Sequence, residues 1–402
     1  MSAPDPMLLK AMNTHRAGRL AEARVMYERI LRRRPNDPDA LNFLGMLQFQ
    51  QGARQRGIEL LQRSLRSSPA NPHAWMNLGN MLTATDDPEA GAAAYEKVTE
   101  LAPDMWQGWF NRSTCLRRLR RLPEAMDCLK TAISLKPDHD EAYERLGMIL
   151  YRAGKIDEMA NLYADWVKYN PDNPTARHMY AAAAGQAVPD RASDEFVRTI
   201  FDTFSESFDE NLKDLAYRAP QLLEQALERH AGPADGNGGL DVLDAGAGTG
   251  LCGPYLRLRA RSLVGVDLSS GMLEKARERK LYDELVVMEL CQFMRGRPAA
   301  FDLVLSADTL CYFGALEEAM AGARHCLRPG GLLGFTVERW ANEDADARFH
   351  MAPHGRYLHA EGYVRSALSQ AGFQPLEISP AVLRAELGSD VHGMVVMARR
   401  ER

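Results

Sequence analysis

A chain of 402 residues is too long for one ordinary domain and fits two or three. Its formal charge of -5 gives no whole-chain basic footprint, so nucleic acid is not expected as a partner. Its six cysteines show no C-x-x-C spacing and predict reduced thiols, with no disulfide and no metal site. The first residues lack an apolar core long enough for a signal peptide, and no run of about 18 apolar residues occurs. The expectation is a soluble, cytoplasmic protein without a membrane span.

The N-terminal half repeats itself. Pro35, Pro69, Pro103, Pro137 and Pro171 recur every 34 residues, and other positions keep step: Leu41, Trp75, Trp109 and Tyr143; Leu44, Leu78 and Leu146; Gly45, Gly79 and Gly147; Tyr27, Tyr95 and Tyr163. The pattern resembles the tetratricopeptide repeat, with a large residue early in helix A, Leu-Gly in its middle and a proline closing the unit. Each helix pair leaves an apolar face uncovered, and stacking buries it. The resemblance implies an α-helical solenoid over 1–186: five units at 4–37, 38–71, 72–105, 106–139 and 140–173, then a capping helix at 173–185. Its concave side would carry Met76, Asn80, Phe110, Thr114, Arg117, Met148 and Tyr151. That face serves either a peptide or protein partner or only a rigid spacer. Arg117, Arg118, Arg120 and Arg121 read as a solvated surface cluster.

Residues 187–193 break the pattern with proline and polar residues and read as a short linker. In 194–211, Phe196, Ile200, Phe204 and Phe208 fall at steps of four on one helical stripe, a lid over a ligand cleft or plain packing. A helix over 215–230 and a flexible turn over 232–239 follow.

The run LDVLDAGAGTGLCG at 240–253 organises the rest. A short apolar strand ends in Asp244, and Gly246, Gly248 and Gly250 then strip side chains from a turn into a helix. Such a turn lets a ligand lie against bare backbone. A dinucleotide fingerprint needs a glycine where Leu251 stands, so that match fails. The run resembles motif I of the class I S-adenosylmethionine-dependent methyltransferases. A second apolar strand, 263–267, ends in Asp267, and Leu268, Ser269 and Met272 follow as in that family. Further strands are expected at 285–289, 301–308, 332–337, 373–378 and 391–398, with a helix at 360–371. This is a Rossmann-like, doubly wound α/β sheet spanning 194–402, its last strand antiparallel.

The resemblance implies S-adenosyl-L-methionine as cofactor, held by Asp244, Gly246, Ala247, Gly248, Asp267, Leu268, Met272, Glu289, Leu290 and Asp308. The acceptor side is expected at Tyr312 and in the charged insert 339–359, which includes Asp344, Asp346, His350 and His354. Arg356 there could grip a carboxylate and His359 could take a proton. The paired acidic ligands of magnesium-dependent relatives are absent, and so is the N-P-P-Y run of amide and amine methyltransferases. An oxygen, carbon or carboxylate acceptor is therefore expected, small or borne on a protein. Two other readings compete: a repeat adaptor whose second half only senses the cofactor or is inactive, and an NAD-dependent oxidoreductase. The first functional expectation is a methyltransferase whose repeats recruit its acceptor.

Overall fold

The computed structural model describes residues 5–186, 188–232, 238–341, 346–386 and 388–402. It divides into two compact units, Met1–Ala153 and Gly154–Arg402. Asp344 and most of the 232–239 turn lie outside the described residues. Among the described residues no helix is long and apolar enough to cross a membrane.

The first unit consists of helical hairpins: α1 (Pro6–Arg16) with α2 (Leu20–Arg33), α3 (Pro38–Gln50) with α4 (Arg54–Ser67), α5 (Pro72–Ala84) with α6 (Pro88–Leu101), α7 (Trp106–Arg118) with α8 (Leu122–Leu135), and then α9 (Asp140–Arg152). The repeat period shows in the helix starts. Asp37 caps α3 by accepting from the Ala40 N–H at 2.9 Å, and Asn71 caps α5 through His73 and Ala74, each with proline at the first helical turn. Trp75 and Trp109 donate their indole N–H groups to the carbonyls of Pro69 and Pro103, at 2.8 and 2.9 Å. The repeated proline thus marks a carbonyl that the next helix holds. Along helix A, Asn77 donates to Asn42 and Asn111 to Asn80, tying one repeat to the next. The expected concave residues divide. Met148 is half exposed, whereas Phe110 is buried under the Arg145 guanidinium, 4.3 Å from its ring.

The second unit begins with α10 (Ile156–Tyr169) and α11 (Pro174–Ala184). In α11, His178 stacks on Phe196 at 3.7 Å, and its Nε2–H donates to the Gly355 carbonyl at 2.8 Å. This helix, read from sequence as a solenoid cap, is packed into the α/β unit. The packing division after Ala153 therefore falls before the last repeat ends, whereas the sequence pattern breaks only at 187–193.

Next come α12 (Asp194–Phe204), α13 (Phe208–Asp214) and α14 (Ala219–Ala231). The helix expected over 194–211 is interrupted at Ser205–Glu206–Ser207, where serine hydroxyls compete for backbone groups: Ser205 donates to the Asp202 carbonyl at 3.0 Å. Within α12 itself the inward face is one position on from the expected stripe, through Val197 and Phe201. Phe204 is left 49% exposed, and Phe201 takes the inward position.

The α/β alternation then runs β1 (Leu240–Ala245), α15 (Gly253–Arg257), β2 (Ala260–Asp267), α16 (Ser270–Glu278), β3 (Glu284–Val287), α17 (Leu290–Arg295), β4 (Phe301–Ser306), α18 (Glu317–Cys326) and β5 (Leu327–Arg339). The insert forms a hairpin, β6 (Phe349–Met351) and β7 (Tyr357–His359), and α19 (Glu361–Gln370), β8 (Phe373–Glu386) and β9 (Ser389–Arg400) close the chain. Strands β3, β2, β1, β4 and β5 lie parallel in that order. Strand β9 pairs antiparallel with β5 over Leu332–Glu338 and with β8 on its other side, and β7 joins the far end of β5 at Glu338 and Arg339. The order reverses between β1 and β4, and a crevice opens at their carboxyl ends. Buried side chains such as Phe335, Val396 and Leu327 fill one face of the sheet, and Leu223, Val242 and Met397 the other.

A Cβ added at Gly45 would strike Leu61 and come 2.9 Å from the Gly57 carbonyl. The Gly45→Ala variant should lose about 1–3 kcal/mol through forced parting of α3 and α4. Circular dichroism should show its first thermal transition below that of the unaltered protein; an unchanged midpoint would mean the hairpin yields without cost.

Candidate active site

A cavity opens at the carboxyl ends of β1, β2 and β4, enclosing about 1320 Å³ of space free of atoms, its mouth included. Its floor is the glycine turn. Gly246, Gly248 and Gly250 have φ of 81°, 54° and 83°, a left-handed run costly for other residues. At Gly246 an added Cβ would collide with Thr309, while at Gly248 it would meet nothing within 4 Å. Gly246 is thus bare for the fold, and Gly248 is bare toward the cavity.

Asp267 stands beside this turn at the end of β2. Its Oδ2 accepts from the Gly248 N–H and its Oδ1 from the Ser269 N–H, both at 2.9 Å. Burial raises this carboxyl, and the two N–H groups oppose that shift. Ser269 then caps α16 through the Met272 N–H at 3.1 Å. Ala247, Leu268, Met272 and Leu290 also line the cavity. Glu289 borders it but is engaged: it caps α17 by accepting from Cys291 and Gln292, and pairs with Arg191 at 3.2 Å.

Helices α12 and α13 roof the cavity with Phe201, Phe208 and Leu212. Three acidic residues fix the roof. Asp202 accepts from the Ser269 hydroxyl at 2.5 Å, Glu206 meets Lys275 at 2.8 Å, and Asp209 accepts from the Thr249 hydroxyl at 2.6 Å and from Arg279.

Beyond β4 the lining becomes charged and aromatic. Asp308 adopts φ of 51°, a strained value for aspartate, and its backbone N–H donates to Thr336 at 2.9 Å. Its carboxylate accepts from Arg384 of β8. Arg384 also reaches Glu338 and Glu386, and Arg356 donates to the same two glutamates. Arg356 is therefore committed to the chain's own carboxylates, not left open for an incoming one. Tyr312 and Tyr217 complete this end, and burial pushes the Tyr312 phenol upward, so it stays neutral.

Two expected residues lie elsewhere. Asp244 is outside the cavity lining and buried, accepting from the Tyr282 hydroxyl at 2.6 Å. Burial pushes its pKa up to about 7. His359 is also outside the lining, because the insert is a hairpin and not a polar loop. It is fully buried in β7, with Nε2–H donating to the carbonyls of Phe313 at 2.8 Å and Gly314 at 3.2 Å. Burial lowers its pKa to about 4. It holds the loop after β4 in place and does not itself line the cavity.

A methyltransferase domain model matches residues 243–335, and a tetratricopeptide repeat model matches 10–72, 54–105, 82–140 and 116–174. The chain joins tetratricopeptide repeats to a methyltransferase domain. A tetratricopeptide repeat-containing protein, trd-1 of Caenorhabditis elegans, is 27% identical over 164 residues, 40% of this chain and 20% of that one. A malonyl-[acyl-carrier protein] O-methyltransferase of Geobacter sulfurreducens is 30% identical over 151 residues, 34% of this chain and 57% of that one. Methyltransferase-like protein 27 of Homo sapiens is 34% identical over 171 residues, 41% of this chain and 64% of that one. The chain thus spans from a fifth to under two thirds of these relatives.

Among the cavity residues that escaped the sequence reading are Arg191, Tyr217, Arg384 and Glu386. The available signal for the last pair was two charges at alternate positions after the apolar run Ala381–Val382–Leu383, a spacing that places both on one face of a strand.

The Asp244 carboxyl is raised in the fold above its unfolded value, so folding favours its protonated form and stability falls as pH rises from about 4 through about 7. Asp244→Asn keeps an acceptor for Tyr282 and removes that penalty. Its melting temperature relative to wild type should be higher at pH 8 than at pH 5, read by scanning fluorimetry; a pH-independent difference would contradict the buried acid. His359→Ala should lose about 1–3 kcal/mol by orphaning two buried carbonyls. Chemical denaturation measures that loss, and a wild-type midpoint would contradict it.

Proposed function

We propose that the second unit is an S-adenosylmethionine-dependent methyltransferase. The observation that carries the reading is Asp267, a carboxylate at the rim of the cavity beside a glycine turn whose Gly248 leaves open space. These residues fit the cofactor: Asp267 is suited to accept from ribose hydroxyls, Gly246 to Gly248 to admit the amino-acid end against backbone, and Leu268, Met272 and Leu290 to flank the base. Once bound, the cofactor supplies a methyl group on positively charged sulfur, already activated for displacement. The chain's own part is alignment and the exclusion of water. Phe201 and Phe208 of the roof close over the crevice, and Leu251 in place of a third glycine weighs against NAD.

The proposal extends to recruitment. The repeats present a face suited to a peptide or protein partner, and the malonyl-[acyl-carrier protein] relatives are named for an acceptor carried on a protein. An acceptor displayed on a protein is the reading that unites both halves. Of the acceptors expected from sequence, a carboxylate loses its support, because Arg356 is engaged by Glu338 and Glu386.

Calorimetry with S-adenosylhomocysteine tests the cofactor reading. The full chain should bind it and ignore NAD, and Asp267→Ala should weaken binding about ten- to a hundredfold, the worth of charged hydrogen bonds. Equal affinity in the variant would sink the reading.

A further inference from the structure

The end of the cavity beyond β4 is lined by two arginines, Arg356 and Arg384, and two carboxylates, Asp308 and Glu386. Glu338 stands behind them, 2% exposed, so three carboxylates share two guanidinium groups. His354, with Nε2 3.6 Å from Glu338, could restore the balance by protonation. Burial and the neighbouring arginines push it down to about 4, so it is neutral near pH 7. Burial and the nearby Glu338 raise the Asp308 carboxyl while Arg384 opposes that shift; with the three carboxylates ionised the set carries one net negative charge. It lies beside aromatic walls: Tyr217, Tyr312, Phe201 and Phe208.

Such a set discriminates by charge. A carboxylate entering here finds both guanidinium groups already neutralised and meets an uncompensated negative charge in a partly desolvated place. An aliphatic amine arrives protonated, and the same field holds the proton on its lone pair. A weakly basic aromatic nitrogen enters neutral, with its lone pair available and its ring matched to the walls.

We propose that the acceptor is the neutral nitrogen of an aromatic or heteroaromatic amine, selected by the net negative charge of the Asp308, Glu338, Glu386, Arg356 and Arg384 set. This rests on the methyltransferase reading and adds the acceptor class to it. In the transfer the nitrogen lone pair forms the new N–C bond while the C–S bond breaks and its electron pair stays on sulfur. The positive charge leaves sulfur and arrives on nitrogen, and where that nitrogen carries a hydrogen the proton then leaves to solvent. Because the charge is on sulfur before the transfer, the negative set favours the transition state through the nitrogen standing nearer to it than the sulfur would, which is the differential stabilisation that lowers a barrier. The aromatic faces add to it. The missing N-P-P-Y run removes one way of holding an amine through hydrogen bonds; selection by charge is another.

The full chain saturated with S-adenosylhomocysteine is titrated by ligand-observed NMR with three probes: the trimethylanilinium cation, neutral tert-butylbenzene of the same shape, and benzoate. The cation should bind about tenfold more tightly than the neutral probe, with benzoate weakest. Glu386→Gln, which removes the net charge, should narrow the gap between cation and benzoate. Glu386→Asp should keep it, and Arg356→Gln should widen it. Affinity for S-adenosylhomocysteine reports that each variant is folded. Benzoate binding as well as the cation, none of the probes binding, or Glu386→Gln leaving the gap unchanged would overturn the proposal while the cofactor reading stands. Failure of the wild-type protein to bind S-adenosylhomocysteine would overturn both.

Discussion

One carboxylate placed between two backbone N–H groups holds the cavity in shape. Asp267 joins Gly248 of the turn after β1 to Ser269 at the start of α16, and each bond is 2.9 Å long. Charge-assisted bonds to N–H groups in a buried place are among the stronger ones a fold can make. This pair fixes where the glycine turn lies relative to the next helix. The consequence travels outward, since Ser269 caps α16 and gives its hydroxyl proton to Asp202 of the roof. Floor, second strand and roof are thereby one connected set of contacts, and a change at Asp267 is felt as far as α12.

The charged end is assembled by a different route. Strand β8 is separated from β4 by β9 and β5, yet Arg384 reaches Asp308. The pairing of β8 with β9 shifts register between Val382 and Arg384, and beyond the shift β8 bonds to the segment before α14: the Arg218 N–H donates to Leu383 and the Ala385 N–H to Leu215. A bulge re-aims the side chain that follows it. Here it turns an arginine from an outer strand over the sheet edge to meet the strained Asp308.

What the sequence makes legible follows from how local each signal is. The repeat array is written as a fixed period, and the glycine turn and the apolar strand before Asp267 as short contiguous runs, so helix pairs and parallel strands were legible in the sequence, while the cofactor reading rested on the resemblance of the glycine turn to motif I. Strand ends were less so: Glu289, read as the end of the third strand, is the cap of the helix that follows. The roof was misplaced because Phe196, Ile200 and Phe204 mark one stripe while Val197 and Phe201, one position on, face the cavity, and because Ser205 and Ser207 end the helix that a step of four carries straight through. Arg384 and Glu386 share a strand face by their spacing, but that this face meets the cavity depends on the β8 register shift, a property of strand pairing and not of any segment alone. His359 was misjudged for the same reason. The insert's polar composition reads as an open loop until β7 pairs with β5 and draws the imidazole into the core.

Two aspartates at equivalent places show why burial alone does not make a binding group. Asp244 ends β1 and Asp267 ends β2, one strand apart, and both are removed from bulk water. Asp244 turns to Tyr282, a single neutral donor, which leaves much of its desolvation uncompensated and its pKa at about 7. Asp267 faces two N–H groups from separate elements and also borders the cavity, so its charge is supported from one side and accessible from the other. In the proposed reading, a carboxylate that holds a sugar hydroxyl needs both conditions: donors behind it to oppose the effect of burial, and open space before it. Only the second strand's aspartate has them, and the difference is made by the turn at Gly248.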